Sequence, residues 1–270
     1  MHLSRDSAYH HIVVEDVGQL RVLRFERNRQ SSMYLDAPFD TDFEYPAYFH
    51  TALAVKPGAM RTLAIGLGGG TVVKRMWRDY PWMTIDAVEV DPTVIDVARE
   101  FFALPEDERV RVHVGDGRAF LEAPGETFDI IVVDAFDDDR VPRPLMTGEF
   151  MRAARVRLAE DGAVVYNLIG YLTGDRSRPF RSLYRTLANV WRRVWVFEVD
   201  EGVDTEGCNI ILLATDAGIS TEQLQARIAD RVGGRVTVPA FETFGRHLHM
   251  KPIRTGDVPV IADEPGRRRS

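Results

Sequence analysis

Apolar and polar positions alternate along this chain with two different textures. Up to about residue 55 the runs are short: His11 to Val14 and Gln19 to Phe25 alternate, with Glu15-Asp16-Val17-Gly18 between them. A side-chain period of two is that of a half-buried strand, so the spacing predicts a β-hairpin. Glu26 to Ser32 is polar and reads as a connection, and the aromatic-rich stretch Phe39 to His50 leads into a short helix reaching Leu53. A parallel sheet is joined through long crossover connections, which this region lacks. The expectation is a small antiparallel β lobe that forms a wall or lid beside the main site.

From Arg61 the pattern becomes an alternation of strands and helices. Strands are expected at 62–66, 84–90, 109–114, 128–134, 162–168, 193–199 and 208–214. Helices are expected near 71–79, 92–103, 117–122, 146–159 and 178–190. Unbroken apolar runs such as Ile130-Ile131-Val132-Val133 are those of strands covered on both faces, which means a mainly parallel sheet. Asp200 to Gly207 is too short to hold a crossover helix, so the last two strands must pair antiparallel at one edge. The fold class is therefore α/β, a Rossmann-type sheet with a terminal antiparallel hairpin. That is the sheet of the S-adenosylmethionine-dependent methyltransferase class, whereas the sixth strand of a dehydrogenase sheet is parallel. It favours a sulfonium nucleoside over a nicotinamide. The expected organisation is a β-rich lobe at 1–55 and a nucleoside-binding domain at 56–216. A C-terminal helix (221–232) and tail complete the chain over 217–270.

Composition narrows the function classes. At 270 residues and 45% apolar content the chain can bury a sizeable core. No apolar run approaches the roughly 20 residues that cross a bilayer, and the N-terminus lacks the apolar stretch of a signal peptide. With a net charge of −7 the chain does not suit a nucleic-acid partner, and Arg267-Arg268-Arg269 reads as a frayed tail. One cysteine, Cys208, and seven histidines without paired ligand spacing predict no metal site. The expectation is a cytoplasmic enzyme acting on a small molecule, without membrane association. A homo-oligomer is left open.

Candidate chemistry lies at strand ends. After the strand ending at Ile65, Gly66, Gly68 and Gly70 form a tight turn into a helix, where backbone N–H groups and the helix dipole favour an anionic or polar ligand. The next strand ends in Val88-Glu89-Val90-Asp91, and an acid about 20 residues past such glycines suits a ribose diol. Glu89 is that acid, and Asp91 is the expected cap of the helix opening at Pro92. Asp116, in Gly115-Asp116-Gly117, either accepts a hydrogen bond from an adenine amine or caps the helix at Arg118. The following strand ends in Val133-Asp134-Ala135-Phe136-Asp137-Asp138-Asp139. Carboxylates at the end of a core strand can hold a cationic substrate by charge-assisted bonds. They can also take its proton, which an alkyl ammonium of pKa near 10 must lose before it attacks.

The order glycine turn, Val-Glu-Val-Asp, Gly-Asp-Gly and Asp-x-x-Asp resembles the polyamine aminopropyltransferases, the spermidine synthases. Ser7-Ala-Tyr9-His10-His-Ile12-Val-Val14 resembles the family's opening strand, with His10 in a glutamine's place, and Pro142 to Phe150 resembles a later segment. The likeness covers about residues 7–215. It implies decarboxylated S-adenosylmethionine as donor co-substrate, no permanently bound cofactor, and a di- or polyamine acceptor. It implies Glu89 on the ribose, Asp116 on the adenine and Gln30 on the nucleoside. By the same resemblance Asp134 and Asp137 are expected to hold and deprotonate the amine, with Asp137, further out on the loop, as the expected base.

Three departures concern the amine end. Gly69 stands where the family has an aspartate. Tyr48-Phe49-His50 stands for Tyr-His/Gln-Glu and keeps the aromatic, placing Tyr48 in the acceptor cleft. Gly202 to Thr205 replaces a tyrosine-bearing segment. Aminopropyl transfer leads the expectations, followed by methyl transfer from intact S-adenosylmethionine and by non-catalytic binding of a nucleoside or polyamine.

Overall fold

The computed structural model describes residues 1–137, 140–199 and 207–264. Its first unit is a four-stranded antiparallel sheet of β1 (Leu3–Asp6), β2 (His11–Val17), β3 (Leu20–Phe25) and β4 (Asn28–Tyr34), in that order. The β2–β3 hairpin is tighter than the residue pattern suggests. Val17 pairs with Leu20, and Gly18, at φ +61°, supplies the positive φ that a two-residue turn requires. The stretch Glu26 to Ser32, read as a connection, mostly belongs to β4. Its polar side chains are satisfied locally: Arg29 donates to Asp42 at 2.7 Å, and Ser32 bonds Thr41 at 2.7 Å and Asp42. Ile12, Val14, Leu23, Phe25 and Met33 on one face of this sheet form a core with Val94, Val97 and Phe102.

Tyr45–Tyr48 (α1) and Ala52–Val55 (α2), joined by a 3-10 turn, follow the sheet. Their buried side chains pack into the core beneath the second sheet, so this segment belongs with the main body.

The second sheet contains β5 (Arg61–Ile65), β6 (Thr84–Glu89), β7 (Val110–Val114), β8 (Phe128–Val133), β9 (Leu158–Gly170), β10 (Arg193–Glu198) and β11 (Cys208–Thr215). The strand order is β10-β11-β9-β8-β5-β6-β7. β5 to β9 are parallel, and β11 runs antiparallel between β9 and β10, as the short final connection requires. The expected fold class is the one observed. Ile130 to Val133 are fully covered on both sides, matching their apolar run.

Helices α3 (Thr71–Asp79), α4 (Pro92–Phe101), α5 (Gly117–Glu122), α6 (Gly148–Arg157) and α7 (Arg178–Ala188) connect these strands. Asp91 caps α4 by accepting from the Thr93 N–H at 2.8 Å, with Pro92 in the first turn. α8 (Thr221–Ala229) opens with a capping box of Ser220 and Gln223 and is followed by the short α9 (Arg231–Gly234).

The C-terminal segment is built into the body. Phe241 and Phe244 pack into one core layer, while residues 251–264 run as a strap over the opposite side, along α7 and α6. The tail residues Arg267 to Arg269 lie outside the described residues. No helix among the described residues is long and apolar enough to cross a membrane.

Candidate active site

The carboxyl ends of β5, β6, β7 and β8 meet at one cavity, as the crevice rule for open α/β sheets predicts. The small sheet closes it on one side with His10, Phe25, Gln30 and Ser31. His10 and Phe25 stack with ring centres 4.2 Å apart. Gly66 and Gly68 line the cavity. Gly66 lies at φ +93°, and a Cβ there would sit 2.2 Å from the Asp134 carbonyl oxygen. The glycine is what lets the turn pass over the end of β8. Gly70 is the residue from which α3 starts and does not line the cavity.

Glu89 lines the cavity at the end of β6. One carboxylate oxygen accepts from the Leu67 N–H at 3.0 Å, the other from the Asp91 N–H at 3.0 Å. Burial pushes this carboxyl above its ordinary range, against those backbone bonds. Asp116 and Gly117 line the next wall. Asp116 caps α5, accepting from the Ala119 N–H at 2.7 Å, and still borders the cavity. Of the two roles open in the sequence, the capping one is the one observed.

Asp134 sits at the end of β8 and is held by two side chains from distant segments. Asn167 Nδ2 donates to Oδ1 at 2.9 Å, and the Tyr45 hydroxyl donates to Oδ2 at 3.3 Å. Burial pushes the Asp134 carboxyl up to about 6, with both hydrogen bonds opposing the shift. Burial and the neighbouring Asp134 also push the Tyr45 hydroxyl well above its usual range, so it stays a donor. Phe136, Pro142 and Leu145 complete the apolar side.

The placement of Tyr48 needs correction. Tyr48 is buried away from the cavity, stacked on Phe244 at 4.1 Å and hydrogen-bonded to His247 Nδ1. His50 is buried against the Tyr80 hydroxyl. The aromatic residue at the cavity is Tyr45, three positions earlier. Tyr45 opens the short helix α1, with Pro46 in its first turn. Asn167 lies within the strand expected at 162–168, where nothing in its own stretch singles it out. Asp137 is exposed at the rim, its backbone pairing with Arg140, and does not line the cavity. Asp138, Asp139 and the Gly202 to Thr205 segment lie outside the described residues.

Sequence comparison decides the family. The spermine/spermidine synthase domain matches residues 44–168. A polyamine aminopropyltransferase of Chromobacterium violaceum is 30% identical over 229 residues, covering 83% of this chain and 84% of that protein. The chain belongs to the polyamine aminopropyltransferase family. The family member from Vibrio vulnificus is 33% identical over 195 residues, 68% of this chain and 64% of the relative's length. The match thus spans slightly under two thirds of that enzyme. The fold agrees with the crystal structure of a probable spermidine synthase from Corynebacterium glutamicum. The TM-score is 0.77 at 21% identity, covering 100% of this chain and 99% of that one.

Against the family's pattern, Gly69 is the sharpest departure, and the structure gives it a steric setting. Its N–H donates to Ser31 Oγ at 2.8 Å. A Cβ there would meet Phe102 Cδ1 and Ser31 Cβ, each at 2.9 Å. An aspartate cannot be added at this position without a shift that relieves both contacts.

Proposed function

We propose that the chain transfers an aminopropyl group from decarboxylated S-adenosylmethionine to a di- or polyamine. The observation that carries this reading is the charge of the cavity. Glu89, Asp116 and Asp134 line it, and among the described residues no lysine or arginine does. Such a lining favours a cationic donor without a carboxylate and a cationic acceptor. In the proposed reaction the acceptor nitrogen attacks the propyl carbon bonded to sulfur. The carbon–sulfur bond breaks, the sulfonium becomes the neutral thioether of 5′-methylthioadenosine, and the amine's proton goes to a carboxylate. Displacement is direct, so alignment and proton removal carry the catalysis.

Glu89, fixed by two backbone N–H groups, is assigned to the ribose, and Asp116 and Gln30 to the nucleoside. Asp134 is assigned to the amine. Facing the cavity with its proton affinity raised toward neutrality, it suits the role of base better than Asp137, which is exposed at the rim. Asp137 then contributes to drawing the cation in.

Gly69 favours a second reading, methyl transfer from the intact donor, because the family's acid for the aminopropyl ammonium is missing there. A product assay with each donor against a panel of diamines separates the two. Methylthioadenosine with an aminopropylated amine is expected. S-adenosylhomocysteine with a methylated product would overturn the first reading and establish the second.

A further inference from the structure

The cavity has two walls with no direct link through the sheet: the Asp116–Gly117 turn after β7, and the Pro142–Leu145 segment after β8. One guanidinium joins them. Arg118 follows Gly117 in α5 and is 7% exposed. Its Nη1 donates to the Pro144 carbonyl and to Thr147 Oγ1, both at 3.4 Å, and its Nε to Glu122 at 2.7 Å. What aims the group is Asp263, 145 residues away, whose two oxygens accept from Nη1 and Nη2 at 2.6 and 2.5 Å. A planar fork bound at both tines has one orientation, so Asp263 fixes where Arg118 presents its remaining donors.

Asp263 is itself held in place. Along the strap, Arg181 and Arg178 grip Asp257, and Arg185 donates to the Thr255 carbonyl at 3.0 Å. Ile261 N–H donates to Thr186 at 2.9 Å, and the Ile261 carbonyl accepts from the Gly148 N–H at 2.9 Å. Arg143 donates to the Ala262 carbonyl at 3.2 Å, and Asp263 N–H to Glu149 at 3.1 Å. Three of these partners, Arg143, Gly148 and Glu149, directly follow the Pro142 wall or the turn behind it.

We propose that Asp263 is a positioning residue for the nucleoside cavity, acting through Arg118 as a buckle between the C-terminal strap and both walls. The part of this proposal that concerns ligand rests on the nucleoside reading above. The part that concerns the walls does not.

The test uses the full chain with Asp263→Asn, Asp263→Glu and, as a control on a C-terminal ion pair outside the strap, Glu242→Gln, which breaks the pair with Arg231. Amide hydrogen exchange of the free protein should speed up at 116–122 and 142–147 in Asp263→Asn, stay unchanged over 84–89, and return toward wild type in Asp263→Glu. Calorimetry with 5′-methylthioadenosine should show affinity down about fivefold in Asp263→Asn, the scale at which residues without ligand contact act through packed neighbours. Unchanged exchange at both walls, or the same acceleration in Glu242→Gln, would overturn the buckle. If wild type binds no methylthioadenosine, the nucleoside reading falls, and the exchange result alone still decides whether Asp263 holds the walls.

Discussion

The two ends of the cavity are built by different means. At the nucleoside end, Glu89 and Asp116 are held by backbone N–H groups of Leu67, Asp91 and Ala119, all at strand ends or helix starts. At the amine end, Asp134 is held by side chains 89 and 33 residues away, Tyr45 and Asn167. The first arrangement is a property of local backbone and survives changes elsewhere. The second exists only once three segments have come together. Each of its side chains can be altered without reshaping a turn, so chemistry there is easier to change than cofactor recognition.

This contrast breaks most readily at Asp134. Asp134→Asn should lower aminopropyl transfer by about 10²–10⁴, the usual cost of losing a general base, and leave methylthioadenosine affinity near wild type. An equal loss of nucleoside affinity would show that the two ends are not separable. The same variant should be more stable than wild type above pH 6. The folded carboxyl lies near 6 against 3.8 for a free one, so the stability it contributes is present below 3.8 and lost as pH rises through about 6. Removing the charge should recover about 1–3 kcal/mol at pH 7, discounted for the solvent reaching this half-buried group, and thermal melting would measure it.

At the nucleoside end, Glu89→Ala should cost about tenfold or more in methylthioadenosine affinity, from roughly 1.5–3 kcal/mol of charge-assisted bonding. It should also lower the melting temperature, because the Leu67 and Asp91 N–H groups lose their acceptor. Binding at wild-type strength would remove Glu89 from the ribose.

Tyr45→Phe tests how the amine end is tuned. Its hydroxyl stabilises the ionised form of Asp134, so with Asp134 as the proposed base the acid limb of the pH–rate profile, expected near 6 in wild type, should move to higher pH. At pH 8 the rate should fall only about threefold to tenfold, in line with one lost hydrogen bond to a charged group. An unmoved acid limb would detach Tyr45 from the base.

Tyr48→Phe should have the smallest effect. Transfer should stay within about twofold, and stability should drop by about 1 kcal/mol through loss of the bond to His247. A large drop in kcat would return Tyr48 to the acceptor site.

The same contrast explains what the residues disclosed in advance. The parallel sheet, the glycine turn, the strand-end position of Glu89 and the Asp91 cap follow from periodicity and spacing, because each leaves a pattern in its own stretch of sequence: an apolar run, a glycine repeat, an acid closing a strand, or an Asp-Pro helix start. Tyr45 and Asn167 escaped because their partner lies far along the chain. β4 escaped because Ser31 and Ser32 are buried by hydrogen bonding, with Gly69, Thr41 and Asp42, rather than by apolar character. β1, with one half-buried and three exposed residues, carries no alternation to read. The strap escaped for a similar reason: backbone carbonyls and a few arginines hold it, and neither leaves a period in the sequence.

Gly69 has a consequence for how such a site can change. The space a side chain would need there is filled by Phe102 and Ser31, and Phe102 is fully buried in the core that docks the small sheet onto α4. An acid entering at 69 while Phe102 keeps its ring would overpack that core, at about 1–3 kcal/mol. A smaller residue at 102 would leave a cavity and still leave the Ser31 Cβ 2.9 Å from the added atom. The glycine at 69 is thus held by two neighbours from different segments at once, and an acid there has to be accompanied by adjustment of both.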